Sequence, residues 1–255
     1  MDDLQIKSEI AEIWDTSAGT YDSFVSHGIR TDGERRLWVT ALSKALPPEE
    51  GPVRVLDVGC GTGAMGLILA EMGHRVTGID LSEKMLEHGR RKAAERNLPM
   101  TFLSGDAEDP VFPDDHFDVV VTRHLLWTLP HPERALQSWR RIVRPGGRVL
   151  VIAGVWNDGG PGSKLRRDIS RYLGRIFDPK KTETLDYSVR LQSTLPHMGG
   201  VPEEAAKILF AEAGLGNIVV EDLIHIRRDQ HSRLAWHQKI NPLGTYYLIS
   251  GTKRD

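Results

Sequence analysis

The chain has 255 residues, 40% hydrophobic and 27% charged, an ordinary globular composition with length for one large domain, or for one domain and a cap. A formal net charge of −2 gives no global field favouring nucleic acid or an anionic membrane, and the single cysteine, Cys60, excludes an internal disulfide and a cysteine-built zinc site. The opening residues Met1-Asp2-Asp3-Leu4-Gln5 are acidic and polar, unlike a signal peptide, and no apolar run approaches the roughly 18 residues that span a bilayer, so a cytoplasmic protein is expected.

Residues 5–16 place Ile6, Ile10, Ile13 and Trp14 on one face of an amphipathic helix. Asp15 to His27 then reads as a loop or broken helix carrying Tyr21 and Phe24, either the edge of a hydrophobic lid or a flap over a cleft. A second helix is predicted from Asp32 to Leu46, with Leu37, Trp38, Ala41, Leu42 and Leu46 on its apolar side and Pro47-Pro48 ending it.

From residue 53 short apolar runs alternate with helices. Strands are predicted at Val53–Val58, His74–Asp80, Met100–Leu103, Phe117–Thr122 and Arg148–Ala153. Helices are predicted at Ala64–Met72, from the capping Ser82 to Asn97, and at Pro132–Val143, with Arg144-Pro145-Gly146-Gly147 as a tight turn. This alternation implies a parallel sheet with right-handed crossovers. It stops between Asn157 and Gly200, where a helix over Ser163–Phe177 carries Leu165, Ile169, Leu173 and Ile176 on one face and a polar stretch follows over Tyr187–Leu195. The interruption is too long for an ordinary connection. Residues 157–200 are therefore expected to form a cap over the carboxyl ends of the strands, residues 1–48 an amino-terminal helical flap, and residues 49–156 with 201–255 the core. A helix at Glu203–Ala213 and strands at Asn217–Leu223 and Gly244–Ser250 complete a seven-stranded α/β sandwich.

The centre of the pattern is Val55-Leu56-Asp57-Val58-Gly59-Cys60-Gly61-Thr62-Gly63, a buried strand that runs into a turn with alternate glycines and then into an apolar helix. Glycine permits positive φ and lets a ligand lie against bare backbone, and the helix start offers free N–H groups. By letter, Gly61-Thr62-Gly63-Ala64-Met65-Gly66 spells the dinucleotide fingerprint, with Asp80 at the end of the next strand. Two features point elsewhere. Gly59 and Cys60 intervene between strand and fingerprint, and Asp57 stands where a pyrophosphate would be repelled. A cofactor with a cationic amino group suits a carboxylate there. Asp57, Asp80 and Asp106 fall at the ends of consecutive strands, placed to serve an amine, a diol and an exocyclic amine, or else as turn residues.

Val55–Gly63 resembles motif I of the class I S-adenosylmethionine-dependent methyltransferases, and further matches follow in that family's order. Gly78-Ile79-Asp80-Leu81-Ser82 resembles the acidic end of the second strand, whose carboxylate grips the ribose hydroxyls. Gly105-Asp106-Ala107-Glu108 resembles the segment whose Asp accepts from the adenine amino group. Phe117-Asp118-Val119-Val120-Val121 resembles the fourth strand, and Val143-Arg144-Pro145-Gly146-Gly147 with Arg148–Val151 the turn into the fifth. Trp14-Asp15 and Tyr21-Asp22 resemble the entry segment of the subgroup that includes the ubiquinone and menaquinone methyltransferases. The resemblance covers roughly residues 10–153, and more weakly 203–250.

The resemblance implies a Rossmann-like methyltransferase sandwich, S-adenosyl-L-methionine as cofactor and S-adenosyl-L-homocysteine as product. Its cofactor residues would be Tyr21, Asp57, Gly59, Cys60, Gly61, Thr62, Gly63, Asp80, Leu81, Gly105, Asp106, Ala107 and Arg123. Cys60 reads equally as small packing. The chemistry asks mainly for alignment of acceptor and methyl, and for a base only if the acceptor must lose a proton. His124 is the candidate base or substrate ligand, or a packed turn histidine. Trp14, Trp127, Tyr172, Tyr187 and His197 are candidate walls of the acceptor pocket, with core filling the alternative for Trp127.

In the interruption Lys164, Arg166, Arg167, Arg171, Arg175, Lys180, Lys181 and Arg190 outnumber Asp168, Asp178, Glu183 and Asp186, which fits an anionic acceptor or a solvated helix face. His225, His231 and His237 recur every six residues, a spacing that matches no metal-binding face, and no metal is expected. Basic surface with interleaved aromatics is lacking, so a small-molecule acceptor is expected, with no nucleic-acid or membrane partner, in a monomer or homodimer. The rivals are an NAD(P)-dependent oxidoreductase, a non-enzymatic adenosyl-ligand-binding protein, and a methyltransferase acting on protein or RNA.

Overall fold

The structure, a computed structural model, describes residues 2–49, 51–157, 160–177 and 187–254. Helix α1 (Asp3–Ser17) opens on a capping box: the Asp2 carboxylate accepts from the Gln5 N–H, and the Gln5 side chain accepts from the Asp2 N–H. Tyr21–Ser23 forms a single 3-10 turn. Helix α2 (Asp32–Ala45) follows, capped by Thr31.

Seven strands build one sheet: β1 (Arg54–Val58), β2 (Arg75–Asp80), β3 (Met100–Ser104), β4 (Phe117–Arg123), β5 (Val143–Ala153), β6 (Leu215–Asp222) and β7 (Tyr247–Lys253). Their order is β3-β2-β1-β4-β5-β7-β6. The first five strands are parallel, and β7 runs antiparallel to both β5 and β6. Strand order reverses between β1 and β4, so a crevice opens at their carboxyl ends, where open α/β sheets bind ligands.

The central strands are apolar on both faces because both are covered. Along β4, Val119 and Val121 pack with Trp38, Met65 and Leu69 on one side, while Val120 packs with Leu136, Trp139 and Phe210 on the other. Strand β5 alternates likewise, with Val149 and Val151 against Leu150 and Ile152. Each such fully buried aliphatic side chain contributes about 1.5–3 kcal/mol. Helices α3 (Ala64–Glu71), α4 (Glu83–Glu95), α5 (Pro132–Ile142) and α8 (Glu203–Glu212) lie where the sequence predicts crossovers.

Three local expectations change. The predicted turn at Arg144–Gly147 is a bulge within β5: Val143 pairs with Phe117, and regular pairing resumes at Arg148 opposite Val119. Strand β6 starts at Leu215, before the predicted Asn217, and absorbs the bend as a register shift between Gly216 and Val219. A helix, α9 (Ile224–Ser232), stands where no element is predicted. Its sequence is polar and it buries only Ile226 and Gln230.

The excursion after β5 leaves at Val155 and returns at Gly200 through an isolated antiparallel bridge. It holds α6 (Pro161–Phe177) and the short α7 (Val189–Gln192). The predicted apolar face of α6 is mostly exposed: Leu165 is 61% exposed, Ile169 42% and Ile176 53%, with Leu173 half-buried, while Ser170 and Gly174 are buried. Helix α7 with Tyr187 and Leu195 packs on Ile6 and Ile10 of α1, which joins the excursion to the flap. Lys180, Lys181, Asp178, Glu183 and Asp186, counted in the charge excess, lie outside the described residues. No helix among the described residues is long and apolar enough to cross a membrane.

Candidate active site

The glycine turn after β1 is left-handed at Gly59 (φ 61°) and Gly61 (φ 53°). A Cβ at Gly59 would stand 2.6 Å from the Leu125 side chain, which would have to shift, and the positive φ favours glycine here. Gly63 enters α3. The turn is tied to the next strand by the Cys60 N–H, which donates to the Ile79 carbonyl at 3.0 Å. Its Gly61 N–H donates to Asp80 Oδ2 at 2.8 Å.

Asp80 Oδ1 accepts from the Ser82 N–H at 2.9 Å. Burial raises the Asp80 pKa above the usual carboxylate value, while the Ser82 and Gly61 N–H groups pull the other way. Asp106 Oδ1 accepts from the Glu108 N–H, and its Oδ2 takes a 2.7 Å bond from Lys7 of α1. Lys7 also lies 2.7 Å from Glu108, whose side chain is fully buried. Burial opposes the Lys7 charge, yet the bonds to Asp106 and Glu108 prevail and raise its pKa. Asp80 and Asp106 face one cleft, together with Gly59, Gly61, Leu81, Gly105 and Ala107. Lys7, Ile10, Trp14 and Tyr21 cover it.

Asp57 stands behind this cleft and does not line it. Its Oδ2 accepts from the Gly66 N–H at 2.8 Å, in the first turn of α3, and burial pushes its pKa up to about 7. Cys60, Thr62 and Gly63 are buried and likewise form no part of the cleft wall. Thr62 instead donates to Asp22 of the flap at 2.8 Å.

At the far end of the cleft Arg123 and His124 leave β4. The Arg123 guanidinium is spent on structure: Nε donates to the Tyr246 hydroxyl at 3.1 Å, its other nitrogens bind the carbonyls of Ser26 and His27, and it lies 4.9 Å over the Trp38 ring. His124 sits in left-handed backbone (φ 59°), stacked on Tyr246 at 5.5 Å. Its Nε2 is 3.3 Å from the Tyr246 hydroxyl. Burial, then Arg123 and His27, hold His124 well below the usual histidine pKa.

Trp127 lies one layer out, packed against Trp14, Trp156 and Tyr187 at centroid distances of 6.4, 5.2 and 5.5 Å. It and Tyr187 back the cleft without lining it. His197 is half-buried and outside the cleft wall. Tyr172, expected in the acceptor pocket, is corrected to an outward position on α6, because that helix buries its small residues and not its apolar stripe.

Sequence reasoning missed Lys7, His27, Trp156 and Tyr246. Tyr246 precedes the last strand, and only the antiparallel pairing of β7 with β5 brings it beside His124. Among the described residues no group of three or more His, Cys, Asp or Glu side chains could hold a metal ion.

These residues fit an adenosyl cofactor. Bare backbone at Gly59 and Gly61 borders the cleft, where an added Cβ would narrow it toward Leu125 and Tyr21. Two carboxylates at successive strand ends supply acceptors for a diol and an amine. Residues 56–151 match the family described as a methyltransferase domain. A ubiquinone/menaquinone biosynthesis C-methyltransferase of Methylobacterium nodulans is 32% identical over 200 residues, covering 76% of this chain and 70% of the relative. A phosphatidylethanolamine N-methyltransferase of Cereibacter sphaeroides is 40% identical over 123 residues, covering 47% of this chain and 59% of the relative. The chain spans about three-fifths of the length of several curated relatives it matches, 57% for a demethylmenaquinone methyltransferase of Clavibacter sepedonicus. Among solved structures the 4+2 cyclase SpnF shares the fold with a TM-score of 0.66 at 21% identity, over 96% of this chain and 95% of that one. By its methyltransferase domain, its strand order and its relatives, the chain belongs to the class I S-adenosylmethionine-dependent methyltransferases.

Proposed function

We propose that this chain transfers the methyl group of S-adenosylmethionine to a small-molecule acceptor. The observation that carries the reading is the pairing of Asp80 and Asp106 across one glycine-lined cleft, roofed by α1 and Tyr21. When bound, S-adenosylmethionine supplies a sulfonium methyl that is already electrophilic. Asp80 would hold the ribose hydroxyls, Asp106 the adenine amino group, and the Gly59–Gly61 backbone the rest of the adenosyl unit. Asp57 orients the loop through α3 and places a buried carboxylate behind it, toward a cationic amino group. Trp14, Tyr21 and the rings behind them exclude water and favour a small acceptor over a polymer chain.

His124 is better suited to position than to deprotonate. Its pKa lies far below neutrality and its Nε2 is turned to Tyr246, whereas a general base works best with a pKa near the working pH. We therefore assign it the task of fixing the Tyr246–Arg123 assembly at the methyl end. An acceptor that arrives already nucleophilic, such as a thiolate or a tertiary amine, needs no base.

Calorimetric titration with S-adenosylhomocysteine and with reduced nicotinamide dinucleotide tests the donor. Binding of the nicotinamide alone overturns the reading. Incubation with methyl-labelled donor and a fractionated metabolite extract tests the acceptor, and label recovered only in protein or RNA rejects a small molecule. Donor binding without transfer to any fraction favours a non-enzymatic role, and the SpnF likeness shows that this fold also serves a protein described as a cyclase.

A further inference from the structure

A second cavity of about 640 Å3 adjoins the donor cleft. Its volume falls within the roughly 300–1,000 Å3 of small-molecule sites. The flap segment from Thr20 to Ser26 forms one side, α6 and Trp156 another, and α9 with the loop before β7 the third. Ser26, His124, Trp156 and Tyr246 stand between the two spaces. Arg123, in the donor cleft, binds the Ser26 carbonyl, and Trp156 meets the His124 ring edge-on at 6.4 Å.

Among the described residues the wall of this cavity carries Arg30, Arg167, Arg227 and Arg233 and no Asp or Glu. Arg233 is neutralised by Glu34 and Asp229. The other three have no carboxylate within ion-pair distance among the described residues. Arg227 donates to the Leu243 carbonyl at 3.1 Å, reaches Gln230 Oε1 at 3.4 Å and lies 5.3 Å over the Tyr246 ring. Arg30 donates to the Asp22 carbonyl. Arg167 makes no hydrogen bond or ion pair among the described residues. Two buried polar atoms in the same wall, His231 Nε2 and Asn241 Oδ1, also lack hydrogen-bond partners among the described residues. Arg227 is largely withdrawn from water, where a guanidinium without a counter-charge is costly, while Arg167 is half-buried and Arg30 exposed. An arginine fork matches the two oxygens of a carboxylate or phosphate. Phe24, Leu234 and Leu243 supply apolar surface beside these charges.

We propose that this cavity seats the methyl acceptor by an anionic oxygen group, a carboxylate or a phosphate, bound by Arg227 with Arg30 and Arg167, and that the apolar body of the acceptor lies along Phe24 and Trp156 toward the donor cleft. The assignment of the bound molecule as acceptor rests on the methyl-transfer reading, whereas anion binding by the arginines does not. Arg227 sits one ring from His124, through Tyr246, so the anion is anchored at the far side of the wall from the methyl group. Arg167 comes from the excursion and Arg30 from the flap, which makes the site depend on both.

The test titrates the full chain, loaded with S-adenosylhomocysteine, with phenyl phosphate, benzoate and benzyl alcohol, followed by ligand-observed NMR. Phenyl phosphate or benzoate is expected to bind at least tenfold more tightly than benzyl alcohol. Which of the two binds tells phosphate from carboxylate. Arg227→Gln is expected to weaken that binding tenfold or more. Arg167→Gln, at a half-buried position of α6 that does not line the donor cleft, is expected to weaken it severalfold and to leave S-adenosylhomocysteine affinity unchanged. Equal binding of all three probes, or anion binding indifferent to both substitutions, overturns the proposal. Failure of S-adenosylhomocysteine to bind, with arginine-dependent anion binding intact, rejects the transferase reading and leaves the anion site standing.

Discussion

Thr62 of the glycine turn donates to the Asp22 carboxylate across 2.8 Å, and Lys92 of α4 reaches both groups, at 2.8 Å from Asp22 and 3.0 Å from Thr62. The amino-terminal segment is thereby tied to the glycine turn, by three side chains that come from three separate parts of the chain. Asp15 adds a second latch by accepting from the Ser82 hydroxyl.

Replacing Thr62 by Val removes the hydroxyl with little change of shape. The expected cost to holding this segment down is about 1–2 kcal/mol, between an ordinary hydrogen bond and one to a charged group, since Lys92 keeps its bond to Asp22. Hydrogen exchange over residues 18–28 should accelerate, and S-adenosylhomocysteine should dissociate about five- to thirtyfold faster by the same energy. Unchanged exchange in this segment would show that the flap is held without the latch.

The parts of this site that could be read from the sequence are those whose chemistry is local. Val55–Gly63 shows its strand and turn in nine residues, with α3 following at Ala64, and Asp80 falls at a strand end because alternation places it there. Lys7 was not legible, because a lysine on an amphipathic helix reads as solvent-facing and its two carboxylates lie about 100 residues away. Helix α9 escaped because a short helix that buries one isoleucine and one glutamine leaves almost no apolar period. The stripe on α6 misled for the opposite reason. Its period is clear, but periodicity names a face without saying what covers it, and Ser170 and Gly174 face inward.

His124→Asn tests the positioning role. Asparagine tolerates the left-handed backbone at this position but stops short of where His124 Nε2 meets the Tyr246 hydroxyl, so it removes the imidazole without straining the chain. Transfer activity is expected to fall less than tenfold, with the pH–rate profile unchanged in shape. A general base contributes about 10²–10⁴-fold, so a loss of that size with a vanished pH limb would return His124 to the chemistry.

Lys7 ties α1 to the cleft floor through Asp106 and Glu108. With α1 in place the cleft encloses about 70 Å3, well under the roughly 300 Å3 of ordinary ligand sites, so α1 must shift for a nucleotide to enter. Lys7→Met is expected to speed S-adenosylhomocysteine association severalfold in stopped-flow tryptophan fluorescence, since Trp14 reports from the same helix. It should also cost about 2–4 kcal/mol of stability by leaving the buried Glu108 carboxylate unpaired. Lys7→Met with Glu108→Gln should recover most of that loss. A destabilisation that the second change does not relieve would mean that Lys7 matters through packing.

Asp57 gives the sharpest pH dependence. Its pKa is about 7 in the folded chain, raised chiefly by burial, against 3.8 when exposed. The folded state therefore holds this proton where the unfolded state has lost it. The stabilisation is complete below pH 3.8 and disappears as pH rises through 7, at a slope of up to about 1.4 kcal/mol per pH unit. Asp57→Asn keeps an oxygen for the Gly66 N–H and removes the titration. Urea unfolding from pH 4.5 to 8 should show the wild-type midpoint falling relative to the variant, with the variant the more stable at pH 8. If Asp57 also serves a cationic amino group through the loop, donor binding stabilises the carboxylate. Wild type should then release a proton on binding S-adenosylhomocysteine near pH 6.5, seen as a buffer-dependent calorimetric enthalpy, and the variant should bind more weakly with no such dependence. Parallel stability curves for the two proteins across this range would reject the raised pKa, and equal donor affinity would confine Asp57 to holding α3.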